Sequence, residues 1–146
     1  MRGLNILTIM ICTIASGCQT TSPSIDSSSS PVKISDSAAS AIAGDLAGRF
    51  VEQNGEADVR SIEMAKGSGK YAAALEAALR GWGYSVVAKK DQHDQETPTR
   101  LAYTIDKIDG MVLASISTPS IGLSRAYDVD AVSATPRSPL SIVRGD

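Results

Sequence analysis

The sequence predicts an α+β domain: two helices packed on a small mixed or antiparallel sheet that ends in a three-stranded meander. Three observations predict it. Apolar residues recur at helical spacing in two stretches, near residues 37–54 and 68–82. A short apolar run of strand type follows each of them. From about residue 100 onward only period-two alternation is left, broken by tight-turn residues. These patterns place the folded domain at residues 36–132, about 95 residues, enough for a modest single core.

The chain opens with a different texture. Arg2 precedes an apolar run from Leu4 to Ala15, followed by Ser16 and Gly17. Charge, apolar stretch and small residues in that order make residues 1–17 a secretory signal peptide. The run is shorter than the roughly 20 residues a membrane-spanning helix needs. Ala15-Ser16-Gly17-Cys18 resembles a bacterial lipobox, with Ala15 where that pattern usually has leucine. The resemblance implies that Cys18 is acylated, palmitate included, and becomes the first residue of the mature lipoprotein. Each buried methylene of such chains contributes roughly 0.8 kcal/mol, and two chains anchor stably where one does not. Gln19 stands where an aspartate retains lipoproteins in the inner membrane, so the implied location is the periplasmic face of the outer membrane. Cys12 leaves with the signal.

Residues 18–35, with the sequence CQTTSPSIDSSSSPVKIS, carry too little apolar surface to fold and read as a Ser/Thr-rich tether. The first helix begins at Asp36 or Ser37, either of which can cap it, and runs to Asn54-Gly55. Ile42, Leu46 and Phe50 form its apolar stripe, with Asp45, Arg49 and Glu52 off it. Gly44 and Gly48 make a small-xxx-small pair. A strand is expected over about Asp58–Ala65. A second helix opens at Gly67-Ser68, with Tyr71, Leu75, Ala78, Leu79 and Trp82 as its stripe, and closes at Gly81 or Gly83. Residues 84–88 form the next strand. After the polar stretch KKDQHDQETP, Leu101, Tyr103 and Ile105 alternate up to the tight-turn pair Asp109-Gly110. MVLASIS runs back, residues 118–122 turn, and LSRAYDV closes the meander. The tail, residues 133–146, carries two prolines and reads as irregular.

Composition excludes several function classes. With 14 basic and 16 acidic residues the net charge is −2, and no basic cluster marks a nucleic-acid binder. Two cysteines in the first 18 residues and a single histidine offer no metal-binding set. Gly67-Ser68-Gly69-Lys70 lacks the earlier glycine of a phosphate loop, where Met64 stands, and the hydroxyl residue after the lysine, where Tyr71 stands. His93 sits among Asp91, Gln92 and Asp94 with no nucleophile elbow elsewhere, and Asp106 and Asp109 flank a turn. The expected site list therefore holds no catalytic residue, no metal ligand and no cofactor.

The lipobox, the serine-rich tether, the ALRGWGYSVV helix-to-strand step and the series TRLAYTIDKIDGMVLASIS…LSRAYDV together resemble the TrbH family of conjugal transfer lipoproteins. That resemblance implies a structural component of the mating-pair-formation apparatus, a type IV secretion channel. The pattern is also similar to the ring-forming N-terminal domains of secretins, a fold-level analogy only. Expected partners are the bilayer through Cys18, other channel core subunits, and further copies in a homo-oligomeric ring. The expected contact is the edge strand with Leu123, Arg125, Tyr127 and Val129, or the tail with Leu140, Ile142 and Val143. Two other readings share the anchor: a pilotin-like assembly lipoprotein of another envelope machine, and a periplasmic ligand-binding lipoprotein with a polar pocket near His93.

Overall fold

A computed structural model describes residues 32–54, 61–87 and 97–145. The chain runs α1 (Asp36–Asn54), β1 (Ser61–Met64), α2 (Lys70–Gly81), β2 (Ser85–Val87), β3 (Thr99–Ile108), β4 (Met111–Ser117), β5 (Ile121–Val129), β6 (Ala134–Pro136) and β7 (Ser141–Arg144). One mixed sheet has the order β2-β1-β3-β4-β5-β6, with β7 also on β5, and both helices cover one of its faces. The α+β class read from the sequence is the class observed.

Helix α1 starts at Asp36, as expected, but its cap is neither Asp36 nor Ser37. Ser35, assigned to the tether by the sequence, is its cap: the Ser35 Oγ accepts the Ala38 N–H at 3.1 Å. Val32 and Ile34 already pack against the core, so the folded body reaches back into the stretch read as tether. Ala38, Ala39, Ile42, Ala43, Leu46, Ala47 and Phe50 are buried, and the frequent alanines let α2 approach closely. Helix α2 ends in a Schellman motif. Gly83 takes φ 93°, its N–H bonds to the Arg80 carbonyl, and the Tyr84 N–H reaches back to Leu79. Asp36 meets Lys70 at one end of the helix pair, and Gly48 meets Trp82 at the other, so the helices run parallel.

Such parallel helices follow from the crossover β1-α2-β2, whose strands pair in parallel, with β3 parallel on the other side of β1. Asp109 and Gly110, at φ 50° and 82°, then make the tight turn into the antiparallel half. In that half Leu101, Tyr103 and Ile105 of β3, Val112, Ala114 and Ile116 of β4, and Ile121, Leu123 and Tyr127 of β5 face the helices and are buried. The opposite face carries a row of small hydroxyl residues in register: Thr104, Ser115, Ser124 and Ser141.

The tail is the main departure from expectation. Residues 133–146 were expected to be irregular, and the structure gives them two strands that extend the meander. Three steps along β5, from Tyr127 to Ser124, match five along the tail, from Pro136 to Ser141, so the tail carries a two-residue bulge. The prolines that argued against a strand sit where one tolerates them. Backbone groups of even-numbered β5 residues point at the tail, as the Arg137 N–H bond to the Ala126 carbonyl shows. Pro136 pairs with Tyr127, so its missing N–H falls on the outer edge, and Pro139 lies in the bulge.

Candidate partner interface

The residues expected at the interface separate into two groups. Leu123 and Tyr127 are core side chains, each 1% exposed, and Val129 is partly buried against the same core beside its strand partner Ala134. The β5 edge offered to another chain is occupied by this chain's own β6 and β7. Leu140 tucks against the core, whereas Ile142 and Val143 are 42% and 65% exposed. Cys18 and His93 lie outside the described residues.

Arg125 shows why β5 is not a free edge. Strand alternation places it on the helix side between Leu123 and Tyr127, where a guanidinium needs partners. Its Nη1 donates to Asp45 Oδ2 of α1 at 2.9 Å, and its Nε donates to the Ser138 carbonyl at 3.0 Å. The Tyr127 hydroxyl donates to the same Asp45 oxygen at 2.8 Å. Ser138 Oγ in turn accepts the Ala126 N–H at 3.1 Å, filling a ladder position that the bulge vacates. Asp45 thus ties α1 to β5, and Arg125 carries the tie on to the tail bulge. Burial, then the hydrogen bond and charge of Asp45, push the Tyr127 phenol far above its ordinary range, with Arg125 opposing. Tyr71, whose buried hydroxyl has no hydrogen-bond partner among the described residues, is raised by burial. The sequence reading missed Asp45 and Ser138. A charge at an inward position of β5 was the available signal that a partner must exist.

Gly67, read as part of a helix-opening turn, has a packing role. A Cβ there would overlap the Tyr103 hydroxyl, which donates to the Ala65 carbonyl at 3.3 Å. The GSGK run passes so close to β3 that only glycine fits. Beside it a cleft of about 320 Å³ lies between α2 and the ends of β1 and β2, lined by Met64, Lys66, Gly67, Glu76, Arg80 and Val86 among others. Glu76 and Arg80 pair at 2.8 Å within it. Among the described residues no group of three His, Cys, Asp or Glu side chains is placed to hold a metal ion. No described helix is long and apolar enough to cross a membrane.

Two helices on one mixed sheet, exposed apolar side chains on the last strand and an internal polar network around Asp45 characterise this α+β domain. Residues 20–146 match the family described as conjugal transfer protein TrbH, and the chain belongs to that family. A curated relative, the probable conjugal transfer protein TrbH of Sinorhizobium fredii (strain NBRC 101917 / NGR234), is 46% identical over 147 residues, covering 99% of each chain. The chain is a conjugal transfer protein. No solved structure matches it, and the expected likeness to secretin N-terminal domains has no structural match behind it.

Proposed function

We propose that this protein is an outer-membrane lipoprotein and a structural subunit of a conjugative type IV secretion channel, working without turnover of its own. The family match carries the reading. It opens at residue 20, two positions past Cys18, where the lipobox resemblance puts the mature N-terminus. Acylated Cys18 holds the chain on the periplasmic face. From Cys18 to Val32 the backbone reaches at most about 50 Å when extended, so the domain stands within that distance of the bilayer surface. Confinement to a surface raises the effective concentration of the domain toward other channel subunits.

The test is to purify the full chain in detergent from the membranes of donor cells, with its N-terminus and its companions identified by mass spectrometry. The reading expects an acylated Cys18 at the N-terminus and co-purifying transfer subunits. An unmodified N-terminus, or a chain that comes away alone, contradicts it.

A further inference from the structure

Of the three described outer strands of the sheet, β2, β6 and β7, the first two are blunted and the third is not. At β2, Arg80 Nη2 donates to the Val86 carbonyl at 3.1 Å and caps the strand from above. At β6, Pro136 has no N–H to offer, and the bulge with Arg137 and Pro139 interrupts the edge. Arg137 folds back onto Asp128 at 2.8 Å. Charges, prolines and bulges are the devices that keep sheets from adding strands. Ser141–Arg144 carries none of them on its outer side: Arg144 is turned inward to Gln53 of α1 at 3.0 Å. This stretch also holds Ile142 and Val143, two of the exposed large apolar side chains.

The direction of the free backbone groups follows from the ladder. The Gly145 N–H bonds to the Ser120 carbonyl, so Gly145 points inward. Alternation along an antiparallel strand then turns Val143 and Ser141 inward too, and leaves the N–H and C=O of Ile142 and Arg144 facing out. Two outward residues flanking one inward residue form a self-complementary set. If two copies of β7 lie antiparallel about a two-fold axis through Val143, Ile142 of each faces Arg144 of the other. All four outward N–H groups and all four outward C=O groups of the pair are then bonded, with none left over. Val143 packs on its own counterpart over the small-residue face, where Gly122 lies opposite it and leaves room. The two Arg144 side chains stand apart, each opposite an isoleucine.

We infer that the β7 edge is a homodimer interface: a second copy of this chain adds antiparallel at Ser141–Arg144, centred on Val143, to make one continuous sheet. The contact is isologous and closes at two copies. A side-to-side ring would need β2 as its second edge, which Arg80 caps. The contact is short, below the roughly 1,000 Å² of a stable free-standing interface, so a trapping method is the suitable readout.

The experiment places single cysteines in the full chain by Ser141→Cys, Ile142→Cys and Val143→Cys, each expressed in the native host, with the parent chain as background. Mild oxidation of membranes is followed by non-reducing electrophoresis. Directly opposed side chains lie about 5 Å apart and diagonal ones 7–8 Å, so Val143→Cys should give at least about five-fold more dimer than Ile142→Cys, and Ser141→Cys should match the parent. Ile142→Pro in the Val143→Cys chain removes an outward N–H without touching the bonds to β5 and should abolish the dimer. An Ile142→Ser companion, which keeps the N–H, should retain the dimer. Equal cross-linking at all three positions, cross-linking of Val143→Cys to a different protein, or none at Val143 overturns the inference.

Discussion

Replacing Asp45 by alanine is the sharpest test of how the domain is tied together. The substitution removes the acceptor of two hydrogen bonds, from Arg125 Nη1 at 2.9 Å and from the Tyr127 hydroxyl at 2.8 Å. It leaves a guanidinium only 16% exposed with the Ser138 carbonyl as its remaining close partner. Breaking a fully buried pair from one side costs 3–5 kcal/mol. The Asp45 side chain is 22% exposed, and solvent screening lowers the expected loss to about 2–3 kcal/mol. At about 4–8 °C per kcal/mol for a domain of this size, the melting temperature should fall by about 10–20 °C. Glu52→Ala, which breaks the exposed pair with Arg49, is the control and should cost under about 1 kcal/mol. Urea unfolding of the three chains gives the comparison. The Asp45→Ala, Arg125→Ala double variant should lose less than the sum of the singles, because the two groups are coupled. If Asp45→Ala unfolds like Glu52→Ala, within about 0.5 kcal/mol, the network is not what joins α1 to β5 and the tail.

Gly67→Ala forces a methyl group into the Tyr103 hydroxyl and should destabilise by about 1–3 kcal/mol, with Tyr103→Phe in the same chain relieving part of it, as read by thermal melting. A chain ending at Ser133 uncovers the tail-facing backbone of β5 and the part of the core that Leu140 covers, and should melt far lower and aggregate, as followed by light scattering on heating. Burial raises the phenols of Tyr71, Tyr84, Tyr103 and Tyr127 above their unfolded value. A group raised in the folded state gives stability that is complete below the unfolded value, near 10 for tyrosine, and is lost as pH rises past it. Stability should therefore hold flat from neutrality to about pH 9 and fall above about pH 10, and a curve flat to higher pH would show these rings to be less buried than the structure has them.

The helices and the β3–β5 meander were legible because each sits on one clean period: Ile42, Leu46 and Phe50 four apart, Leu101, Tyr103 and Ile105 two apart. The tail was not legible. Pro136 and Pro139 argue locally against a strand, and only the identity of the neighbouring strand shows that one missing N–H faces outward and the other lies in a bulge. Ser35 was misplaced for a related reason: its serine-rich surroundings hid a cap whose partner is three residues on. Arg125 was expected as a partner contact on an edge strand, although alternation with Leu123 and Tyr127 points it inward. Its partner, Asp45, is eighty residues earlier on a helix, a distance over which pattern carries no information.

The measurement that bears most directly on the account is plasmid transfer from a donor lacking this gene, complemented either with the full chain or with Cys18→Ser. A lipid-anchored channel subunit predicts that transfer is lost in the deletion, returns with the full chain, and stays low with Cys18→Ser even though that variant accumulates as a folded protein. Normal transfer without the gene, or full rescue by Cys18→Ser, would contradict it.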